Sequence, residues 1–216
     1  MIILLDNSDF YPMDPYNGLN IIFSNDFNDG SASWTTASIK SGFNFQETGD
    51  ELFEDSGKGK GYAKFDLGAN SSLTEYSISV DVKPYGNNIS GNNVVGIVFN
   101  ETNTNNNYRV RWHNYSTDYS GWRGYRDLDL IKRTNGNDNV LVTINALDIA
   151  GLLGQPINTS FSFTLTVDVT NSGISVKVNG LEQITHSAKP SLGNIVLWTD
   201  DNDKDIAYDN LIILTP

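Results

Sequence analysis

The chain has 0 Cys and only 2 His in 216 residues. Without thiols it has no disulfide staple and no thiolate metal site, so no bridge pattern marks its compartment. His113 and His186 stand apart, without the neighbouring ligands a zinc site needs, and read as ordinary surface or edge residues. Basic residues are scarce too. Lys and Arg number 14 against 26 Asp and Glu, which leaves a net charge of −12 and a pI of about 4.4. A field of that sign repels polyanions, which argues against nucleic acid and anionic membrane surfaces as partners. Long apolar runs are also missing. Met1–Leu5 lacks a basic flank and is broken at Asp6, so it is no signal peptide, and no later run suits a membrane span. The expectation is that any export signal lies outside this stretch of a longer secreted protein. GxSxG, HExxH and P-loop patterns are absent.

What is present points to one β-rich core. Hydrophobic residues make up 38% and aromatics 11%, with 19 Gly to serve many turns. Residues 1–20 are rich in Asp, Asn, Pro and Tyr and read as a linker or wrapping segment, with a single domain over 21–216. Tyr62–Leu67, Tyr76–Val82, Tyr108–His113 and Phe161–Val169 alternate apolar with polar, the period of a half-buried strand. In the third of these, Tyr108, Val110 and Trp112 share one face, and Arg109, Arg111 and His113 the other. Val94–Phe99 is apolar throughout and reads as a central strand covered on both sides. Residues 41–60 read as a long loop holding at most a short strand, and 146–154 as the one helical turn. Asn135-Gly136 and Asn179-Gly180 mark hairpins. About a dozen short strands with Gly/Asn/Asp turns and almost no helix give an all-β fold, an antiparallel two-sheet β-sandwich.

Carboxylates crowd the C-terminal end. Asp200, Asp201, Asp203, Asp205 and Asp209 fall within ten residues around a single Lys204, leading into an apolar strand. Carboxylates this close splay into solvent, shift their pKa values or share a cation, and an all-oxygen site suits Ca²⁺. The loop is not an EF-hand, having neither the central Gly nor the closing Glu. Its alternative reading is a solvated acidic turn that protects a sheet edge. For Asp209 two registers are open: facing the core with Ala207, Leu211 and Ile213, where its charge needs compensation, or in water with Tyr208, Ile212 and Leu214 inward.

Phe23–Gly30 (FSNDFNDG) followed by Trp34, Val94–Trp112 (VVGIVFNETNTNNNYRVRW), Gly124–Gly136 (GYRDLDLIKRTNG), Phe163–Gly180 (FTLTVDVTNSGISVKVNG) and Ile206–Leu214 (IAYDNLIIL) together resemble the concanavalin A-like, laminin G-like jelly rolls of the thrombospondin C-terminal type, which recur in large secreted bacterial proteins. The resemblance implies first and last strands lying side by side with a structural calcium. That role would fall to Asp26, Asp29 and Asp209. The chain lacks the Glu-x-Asp-x-x-Glu strand of laminarinase-like glycoside hydrolases, and Glu51 and Glu54 miss that pattern.

Between Trp112 and Asp127, aromatic rings alternate with Arg, Asn and Asp, a mixture that suits recognition of sugars or peptide ends. The ligand candidates are Tyr115, Tyr119, Trp122, Arg123 and Arg126, with Trp198 beside the acidic stretch. Trp112 and Tyr125 read as core. The expected function is a non-catalytic, calcium-dependent adhesion module of an extracellular protein, monomeric in isolation, which grips a glycan or peptide on another cell surface and does not insert into membrane. A polysaccharide hydrolase or lyase and a purely structural calcium-stapled spacer are the alternatives.

Overall fold

In the computed structural model, residues 18–28, 34–38, 45–47, 51–54, 59–84, 92–115, 127–145, 162–201 and 206–216 are described. They form strands β1 (Asn20–Asn25), β2 (Trp34–Ser38), β3 (Phe45–Glu47), β4 (Leu52–Glu54), β5 (Gly59–Phe65), β6 (Tyr76–Pro84), β7 (Asn92–Asn103), β8 (Asn106–Tyr115), β9 (Asp127–Thr134), β10 (Asn137–Asn145), β11 (Phe163–Thr170), β12 (Gly173–Val178), β13 (Leu181–His186), β14 (Asn194–Asp201) and β15 (Ile206–Thr215). The region expected to be mainly loop holds β3 and β4. The described helical turn is a short 3-10 segment at Gly68–Ser72, which no apolar periodicity announces. The turn expected over 146–154 lies outside the described residues.

The strands make two antiparallel sheets. One runs β13-β12-β11-β6-β15-β4-β3, with β1 also paired to β15, and the other runs β10-β9-β8-β7-β14-β5-β2. The first and last described strands are therefore neighbours, with Asn20 opposite Thr215. Asn and Gly at positive φ close two of the hairpins, Asn135-Gly136 and Asn179-Gly180, because a tight two-residue turn needs that backbone region.

The core lies between the sheets. The alternating strands place Ile78, Val80 and Val82 of β6 and Leu165, Val167 and Val169 of β11 in it from one side. Val95, Ile97 and Phe99 of β7 and Tyr108, Val110 and Trp112 of β8 enter from the other. A second, smaller apolar group, Val94, Val98, Val196 and Trp198 with Tyr62 against it, lies apart from this core. It collects the opposite-parity residues of β5, β7 and β14, on the outer face of the seven-stranded sheet. This is why the Val94–Phe99 run shows no alternation.

One side chain crosses the sandwich to fix that outer face. Tyr208 of β15 is fully buried, and its hydroxyl donates to the Trp198 carbonyl (2.6 Å) and accepts from the Gly96 amide (3.2 Å). Gly96 and Trp198 are register partners in β7 and β14. The hydroxyl of one sheet thus bonds to facing backbone groups of two strands in the other.

The β15 register is a composite of the two anticipated. Pairing with β6 slips between Asp209 and Ile212, and Asn210 takes φ 50°. Tyr208 before the slip and Leu211 and Ile213 after it all reach the core. A β-bulge adds one residue and reverses the parity beyond it, which no single alternation can represent.

Candidate ligand-binding face

The outer face of the seven-stranded sheet carries a cleft of about 500 Å³ lined by Tyr62, Lys64, Val98, Glu101, Thr104, Asn105, Asn107, Arg109, Arg133 and Val196. Val98 and Val196 are facing partners in β7 and β14 and make an apolar floor. Tyr62 and Lys64 come from β5 on one side, and Arg109 and Arg133 from β8 and β9 on the other. The turn between β7 and β8 supplies Thr104 and Asn105 at the end. A volume in this range, with mostly apolar walls and a few converging polar groups, is the usual form of a small-molecule site.

Charge in the cleft is unevenly compensated. Lys64 Nζ lies 2.7 Å from Glu101 Oε2, and that carboxylate is 6% exposed. Arg133 Nη1 meets Asp138 Oδ1 at 3.3 Å, while Arg133 Nε is buried without a hydrogen-bond partner. Arg109 is 7% exposed. Its Nε donates to Asn107 Oδ1 at 2.8 Å, and its guanidinium carbon lies over the Trp198 ring, 5.4 Å from the centroid. No carboxylate makes an ion pair with it among the described residues. Register explains this: Arg109 faces Val98 on one side and Ile131 on the other. Arg111, two residues along the strand, faces Asp129 and bonds it twice, at 2.6 and 3.1 Å, while Asp129 Oδ1 accepts from Thr143 at 2.8 Å. Burial first, and then the neighbouring Arg133 charge, lower the pKa of Arg109 below the ordinary arginine value. The group stays protonated, since arginine begins so far above neutrality.

No family model matches the chain, and no curated protein does. Solved structures do. The CBM2 module of an evolved Dit protein of Lactobacillus casei BL23 phage J-1 aligns over 91% of this chain and 96% of the module, with 11% identity and a TM-score of 0.63. The carbohydrate-binding module CBM66 of Bacillus subtilis aligns over 82% and 94%, with 13% identity and a TM-score of 0.56. The fold is a concanavalin A-like jelly roll. A third similar jelly roll is the β-glucanase of Bacillus licheniformis, covering 90% of this chain and 97% of the enzyme at 16% identity and a TM-score of 0.54.

Of the sequence-derived site residues, some fall among the described residues and others do not. Trp198 reaches the outer face, but it is 5% exposed and lies beneath the Arg109 guanidinium instead of offering a free ring. Tyr115 ends β8, with its side chain outside the described residues, as Tyr119, Trp122, Arg123 and Arg126 are altogether. Asp200 and Asp201 end β14, again with side chains not described, and Asp29, Asp203 and Asp205 lie outside the described residues. Asp26 is exposed and accepts from the Asn28 side chain at 2.7 Å.

Asp209 is buried, and the cation beside it is an ammonium group. Lys83 Nζ lies 2.9 Å from Asp209 Oδ2 and 2.6 Å from Glu51 Oε1. Asp209 Oδ1 accepts the Asn210 amide at 2.7 Å. Hydrogen bonds to Glu51 and then Asp209 raise the Lys83 pKa. A positive charge beside this buried carboxylate is thus supplied from β6. No group of three or more metal-ligating side chains comes together among the described residues.

The candidate cleft is lined by Tyr62, Lys64, Glu101, Arg109 and Arg133, none of which the sequence marks as a site residue. The available signal was Val94–Phe99 itself. A strand apolar on both faces makes its outer face dry as well, so an arginine paired beside it is withdrawn from water.

Proposed function

We propose that this jelly roll is a non-catalytic glycan-binding module that holds its ligand in the outer-face cleft of the seven-stranded sheet. The observation that carries the reading is the cleft's composition: an apolar floor and the Tyr62 ring beside directional donors, the pairing that sugar rings with hydroxyl rims require. Two similar folds that are carbohydrate-binding modules by name support the ligand class. Glycoside hydrolysis usually takes a pair of carboxyl groups, whereas the described lining holds one, Glu101, tied to Lys64. A glycan array should retain a defined subset of sugars, and Tyr62→Ala should weaken that binding about fivefold, the loss of about 1 kcal/mol of ring contact. Retention of nothing, or a Tyr62→Ala variant indistinguishable from wild type, would refute the site.

The reading extends to an extracellular adhesin of the thrombospondin C-terminal type that meets a glycan or exposed peptide on another cell, with calcium held by the acidic stretch Asp200–Asp205. The density of aspartates there supports it, because a shared divalent ion relieves their repulsion. An ion that binds only the folded state stabilises it by about 2.7 kcal/mol at a hundredfold excess over its dissociation constant. Added Ca²⁺ should therefore raise the melting temperature by roughly 5–10 °C for a chain of this size, reversibly with chelator. An unchanged melting temperature would remove calcium from the account.

A further inference from the structure

We propose that the cleft selects a glycan carrying one acidic group, a carboxylated or sulfated sugar whose anion pairs with Arg109. This inference rests on the glycan-binding reading and names the ligand chemistry within it. The lining contains three cations, Lys64, Arg109 and Arg133, and a single carboxylate, Glu101. Lys64 is matched by Glu101, and Arg133 by Asp138 at the rim. Arg109 remains, withdrawn from water and without a carboxylate partner among the described residues. An unpaired buried charge costs several kcal/mol in the absence of a counter-ion, so an anion that docks beside Arg109 gains that compensation.

The geometry favours a planar or tetrahedral oxyanion. Arg109 spends Nε on Asn107 and has no other hydrogen bond among the described residues, so both Nη nitrogens are available for a forked contact with two oxygens. Arg133 Nε adds a further buried donor without a partner. The Trp198 ring supports the guanidinium from below. That restricts its orientation and lowers the entropy lost when an anion docks. Val98, Val196 and Tyr62 are left to meet the ring of the sugar, and the exposed Thr104 and Asn105 to meet its hydroxyls.

A single acidic group fits better than a polyanionic chain. One positive charge lacks a partner, and the surrounding −12 opposes the approach of any ligand carrying charge along its whole length. Recognition is then short-ranged and depends on the fit of one anion.

The test compares matched probes on the intact protein by calorimetry: an oligosaccharide ending in glucuronic acid against the same sugar with its carboxyl reduced to alcohol, and a 6-sulfated oligosaccharide against its desulfated parent. At least one acidic member should bind ten or more times tighter than its neutral partner, and which pair shows the gap identifies carboxylate or sulfate as the source of the anion. Arg109→Gln should erase the gap and Arg109→Lys restore part of it. Wild-type protein alone decides the matter should Arg109→Gln fail to fold. Equal binding of acidic and neutral members overturns the anion assignment and leaves the glycan-binding reading standing. An acidic peptide bound as tightly as the acidic sugars also overturns it. Binding of none of the probes, together with an empty glycan array, overturns both.

Discussion

Gly96→Ala is expected to cost about 3 kcal/mol or more of stability. A Cβ at this position would overlap the Val110 carbonyl oxygen and stand 3.4 Å from the Arg111 Cα. Both are backbone atoms of β8 hydrogen-bonded into the middle of the sheet, so no side-chain rotation relieves the overlap. Accommodation requires β7 and β8, two interior strands of the sheet, to part, and the penalty is a large share of the 5–15 kcal/mol that is typical of a folded domain. The effect should reach the ligand site as well, since Gly96 faces Trp198, the support of Arg109. Urea unfolding measures it directly. A Gly96→Ala protein with the wild-type midpoint would mean that the strands are spaced otherwise than described.

The second large effect is that of Tyr208→Phe, a change that removes one oxygen and leaves the ring in place. Its hydroxyl serves two backbone groups that face each other across β7 and β14, the Gly96 amide and the Trp198 carbonyl. With the oxygen gone each loses a buried hydrogen-bond partner, at about 1–3 kcal/mol apiece. The expected loss is about 3 kcal/mol in all. Because the chain atoms of Trp198 are freed at the same time, glycan affinity should fall in a variant that still folds at low temperature. A pure stability change would leave affinity in the folded fraction untouched, so titration well below the melting temperature separates the two. A Tyr208→Phe protein as stable as wild type would show that neither backbone group depends on the hydroxyl.

Much of this fold can be read one residue at a time. Phe163–Val169 alternates in sequence and alternates in burial, because each strand residue points opposite to its neighbours. Tyr108, Val110 and Trp112 go to the core for the same reason, and the Asn-Gly pairs fall at turns because they tolerate positive φ. The candidate site was far less legible. Its residues come from β5, β7, β8, β9 and β14, spread from Tyr62 to Val196, and each looks unremarkable in its own strand. Arg109 and Arg111 are equivalent by spacing. Asp129 beside one and Ile131 beside the other make them different. The β15 bulge was illegible because a parity change inside an apolar strand has no compositional mark.

The amino-acid sequence by itself determined the class of fold, the inward faces of most strands and the places where the chain turns, since these follow from a period of two and from local backbone preference. Tertiary structure alone decided which strands are neighbours and in what register. Those pairings join residues far apart in the chain, as Asn20 joins Thr215, and they are settled by how the two sheets close over a shared core. From that closure come the ammonium beside Asp209, the tyrosine hydroxyl that reaches Gly96 from the opposite sheet, and an arginine that makes no ion pair with any described acid. A charge is compensated or left bare by its neighbours in space.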